Sequence, residues 1–461
     1  MGRPKSKNTM MNKKKPFKKN FLTGNKKEEA PRERGVGSRT PQLLRGMKDV
    51  LPADQDTWFY LYDKAREIAR DYSFLWIETP IIESAGLFKR GIGAATDIVE
   101  KEMYAFTDLN GEAVALRPEN TASIVRAYIE HGMINQPQPV KMWYFGPMFR
   151  HERPQSGRLR QFHQFGLEVI GEENAAVDAQ IILATYNFYK EIGLEVNVQI
   201  NSIGCQECRG EYKKNLQNYY RSKKKLICED CQDRLNKNPL RLLDCKNPKC
   251  QEVKAAAPQI IDWLCEDCKN HFMGVIEYLD EIDIPYVLNP HLVRGLDYYT
   301  RTVFEVWTNN EEQSRQSALG GGGRYDLLSE QLGGRPTPAC GVSIGIERVI
   351  SELRKQEIAI PLPPKPLVFL AQVGKQAKQK CFSVFEDLRR GGIKAAESIT
   401  KDSLKSQLEV ADKLDVEYVL ILGQKELLEG TILLRDMEAG VQETLDLNKL
   451  IPELKKKLGN G

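Results

Sequence analysis

The chain has 461 residues, enough for two or three domains, each with its own core. Its 41% hydrophobic and 28% charged residues are ordinary for a soluble protein, and it has no apolar run long enough to span a bilayer, so membrane insertion is not expected. The formal net charge of +4 is too small to indicate a partner; its distribution says more.

Residues 1–40 are rich in Lys, Asn, Gly and Arg and poor in apolar anchors, which predicts a disordered basic extension. Such an arm either touches RNA phosphates or merely solubilises. Met1 to Asn20 has no apolar core segment, so no secretory leader is expected. Lysine outnumbers arginine and no amphipathic face is evident, which disfavours a mitochondrial presequence.

Regular structure is expected from Leu44–Asp49 onward. Asp54 or Asp56 can cap a helix running to Arg70, with Trp58, Leu61, Tyr62, Ala65, Ile68 and Ala69 on one face. Residues 74–84 read as a strand; Pro80 cannot donate to a ladder and belongs at an edge, a bulge or an end. Asn110-Gly111 between alternating runs signals a hairpin. Arg117-Pro118-Glu119-Asn120-Thr121 then opens a helix whose first amides are expected to be free. Glu119 can serve a substrate ammonium or act as a first-turn carboxylate on the helix dipole.

Residues 142–171 carry the densest signal. Aromatic residues from Trp143 to Phe149 favour a strand, Pro154-Gln155-Ser156-Gly157 a turn, and an alternating return strand follows. Leu159, Gln161, His163 and Phe165 share one face of it; Arg160, Phe162 and Gln164 share the other. Arg150, Arg153, Arg158 and Arg160 crowd this hairpin. Guanidinium is the planar fork that grips phosphate and carboxylate, and Phe162 offers a face for stacking. The pattern fits a nucleotide polyphosphate with a carboxylate substrate, or a strand pair laced with structural ion pairs.

Residues 201–288 differ in character. Cys205/Cys208, Cys228/Cys231 and Cys265/Cys268 are CxxC pairs, and Cys245/Cys250 is a wider one. Eight thiolates suffice for two four-sulfur sites of structural zinc, which leave no open position for chemistry; iron–sulfur fits by ligand type, reduced buried thiols are the alternative, and which pairs combine is open. In a large chain, cysteines so spaced favour metal binding in a reducing cytoplasm over a disulfide scaffold.

After Asn289-Pro290, the aromatic and β-branched residues beyond Gly295 predict a strand, with Arg294 just before it and Tyr298-Tyr299 in it. Gly320–Gly323 permits close backbone approach, and residues 340–350 read as a strand entering a helix at Glu347-Arg348. A stiff proline-rich linker spans 361–366. Beyond it, apolar runs at 368–373 and 418–423, helices near 376–390 and 403–414, and a hairpin around Gly440 predict a small α/β domain with a mixed sheet.

FRHERPQSGRLRQFHQ (149–164) resembles the second signature motif of class II aminoacyl-tRNA synthetases in its histidyl-tRNA synthetase form. LVRGLDYYTRTVFEV (292–306) resembles that family's histidine motif, and GGGGRYDLL with CGVSIGIERV (320–349) resembles the third class II motif. The resemblance implies an α+β fold: a class II antiparallel-sheet catalytic core in two parts (41–200 and 289–360), an inserted cysteine-rich, mainly helical domain (201–288), and a C-terminal anticodon-binding-type α/β domain (367–461). It implies a histidine–tRNA ligase acting on ATP, L-histidine and tRNA(His), with Mg2+ and as a homodimer formed around the Pro80 segment.

In residue terms it implies Arg294 and Arg150 as catalytic. Glu119, Thr121, Arg150, Gln164, Glu168, Arg294, Tyr298 and Tyr299 would face histidine, and Arg150, Arg158, Phe162 and Arg348 would face ATP. Asn120 stands where the family's loop has glycine. The insertion's Lys213, Lys214, Lys223, Lys224 and Lys225 suit an acceptor arm, and Arg160 and Gln161 its end. The rivals are a paralogue acting as regulatory subunit of an ATP phosphoribosyltransferase, and a zinc-containing tRNA-binding protein with an inactive core.

Overall fold

The computed structural model describes residues 1–2, 40–94, 96–153, 157–309, 318–361 and 363–459. The expected basic extension lies outside the described residues, as do Pro154, Gln155 and Ser156 of the expected turn. Backbone contacts separate residues 1–45 from residues 46–461, and the second unit carries all that follows.

An eight-stranded sheet organises this unit. Its order is Leu75–Trp76, Val140–Phe149, Gln161–Ile170, Ala339–Gly345, Gly320–Arg324, Thr300–Thr308, Val196–Ser202 and Tyr286–Leu288. The six central strands pair antiparallel, and the two edge strands join parallel. Strand alternation sorts the two faces. Trp143, Phe165, Leu167, Val306 and Ile344 point to one core, shared with Leu61 and Ile68 of helix Gln55–Asp71 and Phe188 of helix Ala175–Glu191. Met142, Tyr144, Met148 and Val303 point to the other, shared with Tyr128 of helix Thr121–Glu130 and Tyr212 and Leu216 of helix Gln206–Ser222.

Three expectations need correction. Residues 74–84 are not one strand: Leu75–Trp76 edges the large sheet and Ile82–Ser84 belongs to a separate three-stranded sheet, with Pro80 between them where no ladder runs. Asp54 makes no side-chain cap on the first helix; its carboxylate pairs with Arg354 at 2.5 Å. The strand expected beyond Gly295 starts only at Thr300, so Arg294 stands on the loop that precedes it. The Asn110-Gly111 hairpin is present, with Thr107 opposite Ala113 and Gly111 at φ +87°.

The cysteine-bearing segment leaves the sheet after Val196–Ser202 and re-enters at Tyr286–Leu288, and its long elements are helical. Beyond residue 366, Val368–Gln372, Tyr418–Leu422, Ala395–Glu397, Thr431–Asp436 and Gln442–Asp446 form a mixed five-stranded sheet. Helix Lys375–Arg390 covers it with Ala377, Cys381, Val384 and Leu388.

Candidate active site

Residues from distant parts of the chain line one cavity of about 570 Å³. Arg150 follows strand Val140–Phe149 and Arg158 precedes strand Gln161–Ile170, Arg294 comes from its loop and Arg348 from the first turn of helix Ile346–Lys355. Glu119, Thr121, Phe162, Gln164 and Tyr298 of the expected set line the same cavity, whereas Glu168 and Tyr299 do not. Phe162 and Gln164 face the cavity because Phe165 and Leu167 are committed to the helical side. Cavities of this size suit a bound small molecule.

The guanidinium groups are held but not used up. Arg150 donates Nε to the Pro118 carbonyl at 2.8 Å and lies 5.3 Å over the Phe162 ring. Arg158 pairs with Glu152 at 2.9 Å. Arg348 donates to the carbonyls of Ala318 and Gly157 at 2.7 and 3.3 Å. Burial, then the positive charges of Arg158 and Arg150, push the Arg348 pKa down. Cationic groups that repel one another in a half-buried cavity make a site for a polyanion. Arg294 pairs with Glu305 at 2.6 Å and lies 5.5 Å over the Tyr299 ring, while its buried Nε has no partner among the described residues.

Buried carboxylates lie beside these cations, Glu119 next to the Pro118 carbonyl that Arg150 holds. Glu119 is 3% exposed, and it accepts from the amides of Thr121 and Ala122 at 2.8 and 3.0 Å. The helix-opening amides expected to be free are thus capped by it. Asn120 has φ −113°, so this position needs no glycine; its Oδ1 accepts from the Thr79 hydroxyl at 2.7 Å. Glu168 and Tyr299 stand one layer behind the cavity lining. Glu168 accepts from the Thr121 hydroxyl at 2.7 Å and from the Tyr325 hydroxyl, and Tyr299 packs on Tyr298 at 4.7 Å. Burial foremost raises the pKa of Glu119, and it lifts that of Glu168 to about 8. Gln164 donates to Ser343 at 3.3 Å and leaves its buried Oε1 without a partner among the described residues.

Glycines clear the space. A Cβ on Gly321 would stand 2.5 Å from Nη1 of Arg294, one on Gly341 would overlap the Glu168 carboxylate, and one on Gly166 would overlap the Tyr144 ring. Sequence reasoning passed over Tyr325, Glu305 and Ser343. All three lie inside quoted motifs, but what they touch is set by the fold. It also missed that Arg234, Arg241 and Lys246 of the insertion line the same cavity.

The eight clustered cysteines fall into two groups of four: Cys205, Cys208, Cys265 and Cys268, and Cys228, Cys231, Cys245 and Cys250, the sulfurs of each lying within 4.8 Å of one another. All are free thiols. Of the lysines expected along an acceptor arm, Lys213 is half-buried, Lys223 sits 3.9 Å over the Tyr219 ring, and Lys214, Lys224 and Lys225 are exposed.

Comparison with known proteins decides the family. The histidyl-tRNA synthetase family model matches residues 46–349. The chain belongs to the histidyl-tRNA synthetase family. A model of the anticodon-binding domain matches residues 367–457. The histidine–tRNA ligase of Desulforamulus reducens is 46% identical over 408 residues, covering 88% of this chain and 97% of that relative. That of Dehalococcoides mccartyi strain 195 is 47% identical over 418 residues, covering 90% and 100%. Among solved structures, the apo histidyl-tRNA synthetase of S. aureus superposes with a TM-score of 0.76 at 36% identity, covering 90% of this chain and all of that one. The mixed α+β fold, large sheet and C-terminal domain are those of this synthetase family. Among the described residues no helix is long and apolar enough to cross a membrane.

Proposed function

We propose that the chain is a histidine–tRNA ligase, which activates L-histidine with ATP and transfers it to the 3′ end of tRNA(His). The observation that carries this reading is the single cavity lined by Arg150, Arg158, Arg294 and Arg348 together with the buried carboxylate of Glu119. The histidine carboxylate attacks the α-phosphorus of ATP, the bond to the bridging oxygen breaks, and histidyl-adenylate and pyrophosphate result. A ribose hydroxyl at the tRNA 3′ end then attacks the carbonyl carbon of the mixed anhydride and AMP leaves. No covalent enzyme intermediate is required; positioning and charge stabilisation do the work.

Arg294 and Arg150 are the catalytic groups, fixed cations beside the α-phosphate where charge builds up. Arg158 and Arg348 hold the outer phosphates, and Phe162 and Arg348 flank the adenine. Glu119 and Thr121 take the α-ammonium, and Gln164 and Tyr298, with Tyr299 and Glu168 from the layer behind them, set the hydrogen bonding to the imidazole. A pocket that hydrogen-bonds its substrate rejects analogues lacking those groups strongly, because its buried polar atoms are left unpaired. Mg2+ neutralises the outer phosphates.

Structural zinc in the cysteine groups fits a reducing cytoplasm. The exposed apolar run of Leu75, Trp76, Ile81 and Ile82 supports a homodimer. The match of residues 367–457 to an anticodon-binding domain favours the ligase over a regulatory paralogue lacking that domain.

The test is charging of tRNA(His) with labelled histidine and ATP. Acid-stable, base-labile incorporation that needs both ATP and this tRNA is expected. tRNA binding without incorporation would identify the inactive-core rival instead.

A further inference from the structure

Taking its activity readout from the ligase reading above, we propose that the insertion holds two separate tetrathiolate zinc sites and that the one at its neck positions a wall of the amino-acid pocket through Arg209. The grouping of the cysteines is nested. Cys205 and Cys208 at the start of helix Gln206–Ser222 join Cys265 and Cys268 at the start of helix Glu266–Glu281, where the insertion leaves and re-enters the core. Cys228, Cys231, Cys245 and Cys250 form the second group within it. Zn–S bonds of about 2.3 Å in a tetrahedron set sulfurs about 3.8 Å apart. The Cys205–Cys208 and Cys228–Cys245 sulfurs lie 3.6 and 3.8 Å apart. Each group also receives a backbone amide, from Cys265 to Cys208 at 3.0 Å and from Cys228 to Cys250 at 3.2 Å. Amides pointing at sulfur are the support a metal-bound thiolate needs.

The neck group is one residue from the pocket's supports. Arg209 follows Cys208 and donates Nη1 to the Tyr299 carbonyl at 2.8 Å. The Arg301 amide donates to the carbonyl of Gly204, the residue before Cys205, at 3.0 Å. Tyr299 in turn packs on Tyr298 and beneath Arg294. A metal that fixes the first turn of helix Gln206–Ser222 therefore fixes the backbone from Tyr299 to Arg301. The second group fixes Arg234 and Arg241, which reach Asp97 at 3.1 and 3.8 Å in the cavity lining.

The test uses the full chain. Metal analysis after purification without added metal should give two zinc ions per chain, and cobalt(II) substitution should give thiolate charge-transfer absorption for both. Cys265→Ser with Cys268→Ser should remove one equivalent, and Cys231→Ser with Cys250→Ser the other. One zinc or none in the wild type overturns the two-site assignment. Arg209→Met should keep both zinc ions yet raise the histidine KM in ATP–pyrophosphate exchange about tenfold, with a smaller change in kcat and partial recovery in Arg209→Lys. An unchanged KM overturns the coupling. Hydrogen exchange at the Arg301 amide, which does not depend on the ligase reading, should accelerate about tenfold in the neck-cysteine variant and not in the other; equal protection in both also overturns it. Absence of histidine-dependent exchange in the wild type would fault the ligase reading while leaving the zinc count and the Arg301 amide as tests.

Discussion

Glu168 shows how one side chain ties fold to chemistry. Its carboxyl is lifted to about 8, by burial first and also by the charge of Glu119, against the bonds from Tyr325 and Thr121. The folded chain thus holds that proton more tightly than the unfolded one. The resulting stability is whole below about pH 4.5 and is lost as pH rises towards about 8. Glu168→Gln stays neutral throughout, so its Tm should gain on the wild type between about pH 5 and pH 8. A difference in Tm that stays constant across that window would contradict the assignment. The arginines were legible in the sequence because guanidinium clustering around a short turn is a local signal. Tyr325 and Glu305 were not, since their partners Glu168 and Arg294 lie 157 and 11 residues away and meet them only through the fold.

Two glycine-bearing strands let the sheet bring these groups together. Gly320–Arg324 and Ala339–Gly345 run beside one another, with Gly322 opposite Val342, and their bare backbone leaves room for Arg294 and Glu168. Gly341→Ala should displace the Glu168 carboxylate, weaken histidine binding and destabilise the chain by about 1–3 kcal/mol. Calorimetric histidine binding and a denaturation curve check it; wild-type values in both would contradict it. The hairpin 140–170 was readable because its alternation extends over ten residues on each side. The segment 74–84 was not, because a local β signal does not say that its two ends join different sheets. The late start of the strand at Thr300 has a similar cause: Tyr298 and Tyr299 favour strand locally, but both are buried instead, Tyr298 in the cavity lining and Tyr299 packed behind it.

At the scale of the molecule, two parts of the catalytic sheet are separated in sequence by a helical insertion that returns to line the same cavity. Cysteine spacing pointed to thiolate clusters able to hold a metal but could not assign the pairs, since any CxxC can close with any other until the helices are placed. The exposed stretch at 75–82 belongs to this scale too. Trp76→Glu should shift the chain from dimer to monomer in analytical ultracentrifugation and reduce charging at low enzyme concentration; an unchanged mass would contradict that interface.

The shared cavity of four guanidinium groups is most directly tested by ATP–pyrophosphate exchange in the wild type and in Arg294→Ala, with and without histidine. Exchange is expected only with histidine in the wild type, and a loss of at least a hundredfold is expected in the variant, on the order of 3 kcal/mol of transition-state stabilisation, while histidine still binds measurably. Wild-type exchange rates in Arg294→Ala would contradict the account.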